Sequence, residues 1–189
     1  MHGERLTHGV LLALGAAVLL VLPFITTFND VLTGAGMHLG LDNYIRPIVP
    51  LIGRTVAGLL GLLGVSAASH GGEIVVHTTR YAQPLFLSWN CLGWQSLVLF
   101  GLTLTTGLRG NHSVAARLQA IVVGTMGTVL INLLRITLVC LLAATVGYVP
   151  AILFHDYGGT LMVIGWLFAF WMVAYRVILL DESPEESAT

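Results

Sequence analysis

The sequence predicts an all-α polytopic membrane protein, a bundle of four or five transmembrane helices with a short extracytoplasmic β-hairpin. Only 9% of the 189 residues are charged, whereas a soluble domain carries about 25%. Hydrophobic residues make up 56% before the 22 glycines are added, which excludes a soluble enzyme. A helix needs about 20 apolar residues to cross a bilayer. Charge-free runs close to or above that length lie at 6–29, 55–72, 81–108, 118–134, 136–155 and 157–175.

The first of these runs, residues 6–29, is predicted to form the first span. Arg5 and the apolar stretch that follows it also fit a secretory signal peptide, which is the alternative interpretation. The sequence Thr-Thr-Phe-Asn beyond Pro23 lacks the small residues of a cleavage site. A span is therefore the favoured interpretation.

Residues 44–66 permit two interpretations, because two arginines and two prolines interrupt their first half. If the segment is a fifth span, Arg46 and Arg54 favour a cytoplasmic entry and the N-terminus lies outside. If it is instead a re-entrant or interfacial helix at the outer surface, the N-terminus lies inside. The sequence leaves both open.

The longest polar stretch, residues 66–90, is predicted to form the hairpin. The segment from Glu73 to Thr78 is rich in β-branched residues and follows a Gly-Gly pair, and the partner strand is predicted from Pro84 to Trp89. This hairpin would deliver the chain to Cys91 at the start of a helix.

Arginine placement predicts the orientation, because positive residues favour the cytoplasmic side of short loops. The clearest such loop is 109–117, with an arginine at each end, and Arg176 follows the last span. Residues 1–180 are interpreted as a single transmembrane domain in the plasma membrane, and 181–189 as an acidic, disordered cytoplasmic tail. The predicted directions are 90–108 inward, 118 to about 144 outward, an outer loop at 145–156, and 157–175 inward.

Arg135 is the costliest residue in this arrangement, because no acidic residue lies within twenty positions on either side. A cation at mid-membrane costs about 2.5–3.5 kcal/mol on insertion scales, and such residues are functional by default. At about 1.5 Å per residue, Arg135 lies roughly 13 Å below the outer end of its helix near Ala144. Asn132 shares its helix face. Both are predicted to reach a water-accessible cavity.

Two further residues are predicted at the same membrane face. Cys91 lies where a loop becomes a helix, a position at which free N–H groups lower a thiol pKa. His155 is predicted to open the last span and can exchange a proton near neutral pH. Asp156 is interpreted as the N-cap of that span, with orientation of His155 as the second possibility. A nucleophile, a fixed cation and an acid-base group together suit acyl transfer.

Ordinary explanations stand beside these. A lone cysteine near a helix end is more often a packing residue, as Cys140 is interpreted to be. The other histidines are interpreted as solvated, and the tryptophans as packing residues or interface anchors. Five glycines are predicted to permit close helix packing. These are Gly124, Gly127, Gly158, Gly159 and Gly165.

Metal, cofactor and nucleic-acid sites are not predicted. Cys91 and Cys140 lie 49 residues apart without a CxxC spacing, and the histidines form no HExxH motif. The sequence contains neither a Walker sequence, nor GxGxxG after a strand, nor a basic run. A haem protein would need two histidines facing each other within the bundle, and none lies mid-span.

Three motifs follow one another in order. Cys91-Leu92-Gly93 enters one span, an Asn-x-x-Arg motif ending at Arg135 lies in a later one, and His155 opens the last. Together with Leu-Leu-Gly-Val at 62–65 and the Gly-Gly pair upstream, this order resembles the exosortase/archaeosortase family of membrane transpeptidases. The resemblance covers roughly residues 50–176.

The resemblance implies a cysteine enzyme that cleaves C-terminal sorting signals from exported proteins and passes the acyl group to an acceptor through a thioester. In that family the signal is a short motif, a transmembrane helix and a basic cluster. It further implies Cys91 as nucleophile, Arg135 as stabiliser of substrate or oxyanion, and His155 as proton donor and acceptor. Leu92 stands where the family usually has Ser or Ala. The supporting residues are predicted to be Asn132, Asp156 and Gly93.

The alternative function is non-enzymatic. A transport, lipid-binding or assembly protein could use Arg135 to hold an anionic headgroup or carboxylate. Cys91 and His155 would then be incidental, so replacing Cys91 would leave its function unchanged.

Overall fold

The computed structural model describes Thr27, residues 30–77 and residues 82–179. Two sequence predictions fall outside this part of the chain. The first span at 6–29, with its signal-peptide alternative, lies outside the described residues except for Thr27. The acidic tail at 181–189 lies outside them entirely.

The chain divides into two units, Met1–Leu41 and Asp42–Thr189. In the first unit, residues 30–38 are helical. The second unit holds the sheet and every residue predicted to take part in chemistry, so the fold that matters for function is that of this unit.

Helix α1, Leu41–Leu62, is 22 residues long and apolar enough to cross a membrane. A 3-10 turn at Arg46–Ile48 precedes its main segment, Val49–Leu62. Pro47 and Pro50 both lie in the first turn of a helical segment, where a missing N–H costs little. The prolines that made residues 44–66 ambiguous are therefore accommodated at and just after a 3-10 turn, and the helix continues beyond them.

The predicted hairpin is present as β2, Glu73–His77, paired antiparallel with β3, Ala82–Phe86. The partner strand begins two residues earlier than the predicted Pro84 start and ends before Trp89. A third strand, β1, Ala67–His70, was not predicted and pairs antiparallel with the other side of β2. The strand order is β1-β2-β3, so β3 is an edge strand.

One face of this sheet is buried. Ile74 and Val76 alternate along β2 and are both 0% exposed, as expected for a strand with one face against a core. They pack between α1 and α3, the helix described below, in what we call the sheet core. Its buried members are Val56, Leu60, Ile74, Val76, Ile136 and Cys140.

The predicted span at 90–108 forms helix α2, Trp94–Gly107. It has only 14 residues, or about 21 Å at 1.5 Å per residue, which is less than the hydrocarbon thickness of about 30 Å. It is therefore not among the helices long enough to cross a membrane unaided.

Helix α3, Val114–Thr145, is a single helix of 32 residues. It begins with Ser113 as N-cap, whose hydroxyl accepts a hydrogen bond from the Ala116 N–H. The helix joins the two charge-free runs on either side of Arg135 without a break. The predicted helix from 118 to about 144 is thus confirmed, four residues longer at its start.

Helix α4, Tyr148–Ile178, has 31 residues and differs from the prediction. It begins nine residues before the predicted start of the last span, so the outer loop predicted at 145–156 is mostly helix. The prediction placed the start after Asp156, at the beginning of a charge-free run. Pro150 lies in the first turn of α4, where a helix tolerates proline. Two π-helical segments, Phe154–Gly158 and Ala174–Ile178, interrupt the α-helical pattern.

A second core joins α2, α3 and α4 at the other end of the unit, and we call it the aromatic core. Rings of α2 and α4 fill the space beside Gly124 and Gly127 of α3, where a side chain would overlap them. Gly165 has nothing within 4 Å, so its predicted packing role is wrong. The fully buried members of this core are Phe100, Ala120, Phe170, Ala174 and Leu179.

Helices α1, α3 and α4 are each long and apolar enough to cross a bilayer. With the small antiparallel sheet, they make the chain a predominantly helical membrane protein, which confirms the broad fold class predicted from its composition.

Candidate active site

Cys91 lies on a 3-10 turn, Trp89–Leu92, between β3 and α2. The turn closes where the Cys91 N–H donates to the Ser88 carbonyl oxygen at 2.9 Å. Gly93 follows with φ 77°, a left-handed conformation that glycine adopts freely. Gly93 is also the N-cap of α2, so the thiol precedes the helix by three residues instead of standing in its first turn.

His155 faces this thiol from the first π-helical segment of α4. Its Nε2 lies 3.7 Å from the Cys91 sulfur, a hydrogen-bonding distance for sulfur. Its Nδ1 lies 3.0 Å from Asp156 Oδ1. The prediction that His155 opens the last span is wrong, because the residue lies seven positions after the start of α4.

The prediction that Asp156 caps the last span is wrong. Helix α4 begins at Tyr148, and the segment containing Asp156 has no side-chain cap. The carboxylate contacts the His155 ring instead, which is the second role considered from the sequence.

Arg135 approaches the same place from α3. Its Nη2 donates a hydrogen bond to the His155 carbonyl oxygen at 3.0 Å. A side chain at Gly159 would overlap the guanidinium, so this glycine provides the space that Arg135 occupies. Gly159 thus permits a close approach, as predicted, but to a charged side chain.

Asn132 holds the other side of the site. Its Nδ2 donates to the Cys91 carbonyl oxygen at 3.0 Å, and the residue is only 4% exposed. A Cβ at Gly93 would overlap the Asn132 side chain. Asn132 and Arg135, three residues apart on one helix face, therefore hold the backbones of Cys91 and His155 respectively.

The electrostatics of Cys91 favour the thiolate. Burial alone would raise the pKa of the thiol. Hydrogen bonds to the thiolate from His155 and Ser88, together with the charge on His155, outweigh burial and lower the pKa of Cys91 from 9.0 to about 7. A substantial fraction of the sulfur is then ionised at neutral pH.

A cavity of about 240 Å³ opens beside these groups. Its polar lining comes from Cys91, Arg135 and His155, and residues 84–87 of β3 and its extension border it. The remaining walls are mostly apolar side chains of α3 and α4. These are Ile136, Val139, Cys140, Tyr148, Ala151 and Ile152.

Sequence reasoning missed two features of this site. The first is Ser88, whose hydroxyl lies 3.4 Å from the Cys91 sulfur. Ser88 precedes Cys91 by three residues, the spacing that a 3-10 turn brings together. The bordering strand residues 84–87 carried no signal, because only the folded sheet shows which strand lies at the edge. Among the described residues, no group of three His, Cys, Asp or Glu side chains is arranged to hold a metal ion.

The six residues predicted for the site lie together in the structure, although they come from three separate parts of the chain. No family model matches the chain, and no curated protein or solved structure is significantly similar to it. The chemistry of the chain is therefore inferred from the arrangement of Cys91, His155, Asp156 and Arg135.

Proposed function

We propose that the chain is a membrane-embedded cysteine transpeptidase of the exosortase/archaeosortase type. It cleaves C-terminal sorting signals of exported proteins and transfers the acyl part to an acceptor. The observation that carries the proposal is the 3.7 Å separation of the Cys91 sulfur and His155 Nε2, with Asp156 on the other ring nitrogen. A base beside a nucleophile, itself oriented by a third group, is the usual means of activating a thiol for acyl transfer.

The first half of the reaction forms a thioester. The Cys91 thiolate bonds to the carbonyl carbon of the scissile peptide, and the carbonyl electrons move to oxygen. Arg135 uses one of its five guanidinium N–H groups on the His155 carbonyl oxygen, which leaves donors for the oxyanion. His155 then gives its Nε2 proton to the leaving amine as the C–N bond breaks.

The second half releases the acyl group. A nucleophilic group of the acceptor attacks the thioester carbonyl and gives its proton to His155 Nε2. The C–S bond breaks, and the thiolate of Cys91 returns beside an imidazolium. Asp156, bonded to Nδ1, keeps Nε2 directed at the sulfur and stabilises the imidazolium in both halves.

The proposal includes four or five spans in the plasma membrane, with the active site on the extracytoplasmic side. It is supported by the three helices within the described residues that are long and apolar enough to span. The positions of Arg109 and Arg176 also support it, because Arg109 follows the C-terminal end of α2 and Arg176 lies in the last turn of α4, both at helix ends opposite the site. Single cysteines placed at Glu73 and His112 in a cysteine-free variant test the orientation. A membrane-impermeant reagent added outside should label only the first.

Replacement of Cys91 tests the activity. A candidate substrate with a motif, a transmembrane helix and a basic tail is co-expressed with wild type, Cys91→Ala or Cys140→Ala, and its processing is followed by mass. We expect processing to stop with Cys91→Ala and to continue with Cys140→Ala, the matched control within the same cavity. Processing that continues in Cys91→Ala at equal protein levels would sink the proposal.

One observation favours the non-enzymatic alternative. Within the described residues, no carboxylate oxygen lies within 4.0 Å of the Arg135 guanidinium, so its charge is available to an anionic ligand. That function would be lost in Arg135→Gln and kept in Cys91→Ala. Loss in both variants favours the transpeptidase.

A further inference from the structure

The outer edge of β3 has a defined hydrogen-bonding phase. The Leu87 N–H donates to the Gly72 carbonyl oxygen at 2.7 Å, and these residues stand directly opposite each other in the register of β2 and β3. Every second residue back from Leu87 therefore bonds to β2. The other residues of β3, Ala82, Pro84 and Phe86, direct their backbone groups away from β2.

Pro84 agrees with this phase. Proline has no N–H and occurs within sheets where that position faces away from the neighbouring strand. The outer edge thus offers three carbonyl oxygens, from Ala82, Pro84 and Phe86, but N–H donors only from the first and last.

The cavity beside Cys91 lies along this edge. Residues 84–87 line it in succession, whereas a cavity against a sheet face would contact alternate residues, because side chains alternate between faces. Tyr148 and Ile152 of α4 also line the cavity. The edge leads directly to the nucleophile, since Cys91 follows Phe86 by five residues.

We propose that the substrate segment before the scissile bond binds in this cavity as an extended strand added to the edge of β3. Alternate N–H groups of the segment donate to the carbonyl oxygens of Ala82, Pro84 and Phe86. Phe86, whose side chain is 78% exposed, packs against the added strand. This inference rests on the proposed function and deepens it, because main-chain pairing recognises an extended polypeptide largely independently of its side chains.

A backbone scan of a reactive peptide tests the pairing with β3 itself unaltered. The probe is acetyl-Ala-Ala-Ala-Ala-chloromethyl ketone, which alkylates the Cys91 sulfur with loss of chloride, added to full-length Cys140→Ala protein in lipid nanodiscs. Each alanine in turn is replaced by lactic acid, which exchanges one N–H for an oxygen. Replacement at alternate positions should slow alkylation about two- to tenfold, the worth of one hydrogen bond. Equal rates at all four positions, or a fall without alternation, would overturn the proposal.

A pair of variants at Phe86 gives a second measurement. Phe86→Pro removes the outward N–H but breaks no bond to β2, whereas Phe86→Ala removes the ring and keeps the N–H. We expect Phe86→Pro to slow the peptide probe relative to Phe86→Ala, with iodoacetamide reacting equally in both. Equal peptide rates in the two variants would count against binding of the substrate strand at the edge of β3. If Phe86→Pro also slows iodoacetamide, the substitution has altered the thiol itself. The lactate scan, in which β3 is unaltered, then decides whether the substrate strand pairs with β3.

The two proposals fail separately. An absence of alternation in the scan overturns the pairing with β3 but does not affect the proposal that Cys91 is the nucleophile. Processing of a co-expressed substrate by Cys91→Ala removes the transpeptidase whatever the scan shows.

Discussion

The two ends of α3 use the same partner helix, α4, for opposite purposes. At the aromatic core, rings fill the space and polar atoms satisfy one another: the Trp166 indole N–H donates to Thr128 Oγ1, and the Trp171 N–H donates to Thr103 Oγ1, each at 3.0 Å. At the end near the sheet, Arg135 and His155 border an open cavity.

Glycine makes the contrast plain. At the aromatic core, Gly127 admits the ring of Trp166, and at the site, Gly159 admits the guanidinium of Arg135. The first contact contributes packing energy. The second accommodates a cation within a membrane helix, where a charge is ordinarily costly. Changes at the two ends should therefore separate stability from reactivity, and four predictions test this.

The largest effect is expected at His155. In His155→Ala, substrate processing should fall about 10²- to 10⁴-fold, the range for a lost general acid-base. The pKa of Cys91 should rise from about 7 towards or above 9.0, because burial, which raises it, remains while the bond from His155 is lost. The pH dependence of iodoacetamide alkylation in a Cys140→Ala background measures the shift. Ser88→Ala should produce a smaller rise, and a midpoint that stays near 7 in His155→Ala would contradict the proposed contact.

The next effect is expected at Gly159. Gly159→Ala should displace the Arg135 side chain and reduce processing at least about tenfold, as small misplacements of catalytic groups do. Gly165→Ala is the matched control on the same helix, because it has open space around it and should gain about 0.5–1 kcal/mol in helix propensity. Equal activity of the two variants would show that the position of Arg135 does not matter.

A stability effect is expected at the aromatic core. Gly127→Ala forces a methyl group against the Trp166 ring and should lower the free energy of unfolding by about 1–3 kcal/mol, the cost of overpacking. The pH midpoint of Cys91 alkylation should stay at about 7 in the folded protein. Thermal unfolding in detergent measures the first quantity, and a shifted midpoint would mean that the two ends are coupled.

The smallest effect is expected from Trp171→Phe. It removes the indole N–H that donates to Thr103 and should cost about 0.5–1.5 kcal/mol of unfolding free energy. Processing per folded molecule should be unchanged. A loss of processing with normal stability would place the aromatic core in the mechanism and remove the distinction drawn above.

The sequence predicted those features that depend on local spacing. Gaps between charges located α3 and the membrane class, β-branched residues located β2, and the spacing of three residues placed Asn132 and Arg135 on one face. Each follows from the length of an apolar run or from helix or strand periodicity, both of which can be read without knowledge of the fold.

Other features depend on tertiary structure and were missed. Strand β1, with the sequence Ala-Ala-Ser-His, contains no β-branched residue and forms because β2 is available as a partner. The start of α4 was misplaced because it was inferred from the charge-free run 157–175, whereas Asp156 lies within the helix with its carboxylate at the His155 ring. The role of Asp156 depended on that start: with the helix already begun at Tyr148, there was no N-cap position for it to fill.

The π-helical segment Phe154–Gly158 sets the directions in which side chains before and after it in α4 face. One extra residue in a turn rotates everything after it by about 100° relative to a regular helix. His155 can therefore face Cys91 while Trp166 and Phe170, beyond the wide turn, face α3 and α2. Deleting one residue from this segment would restore regular α-helical winding and rotate Trp166 away from Gly127. The π-helical turn thus allows one continuous helix to present its reactive residue and its packing residues to different neighbours.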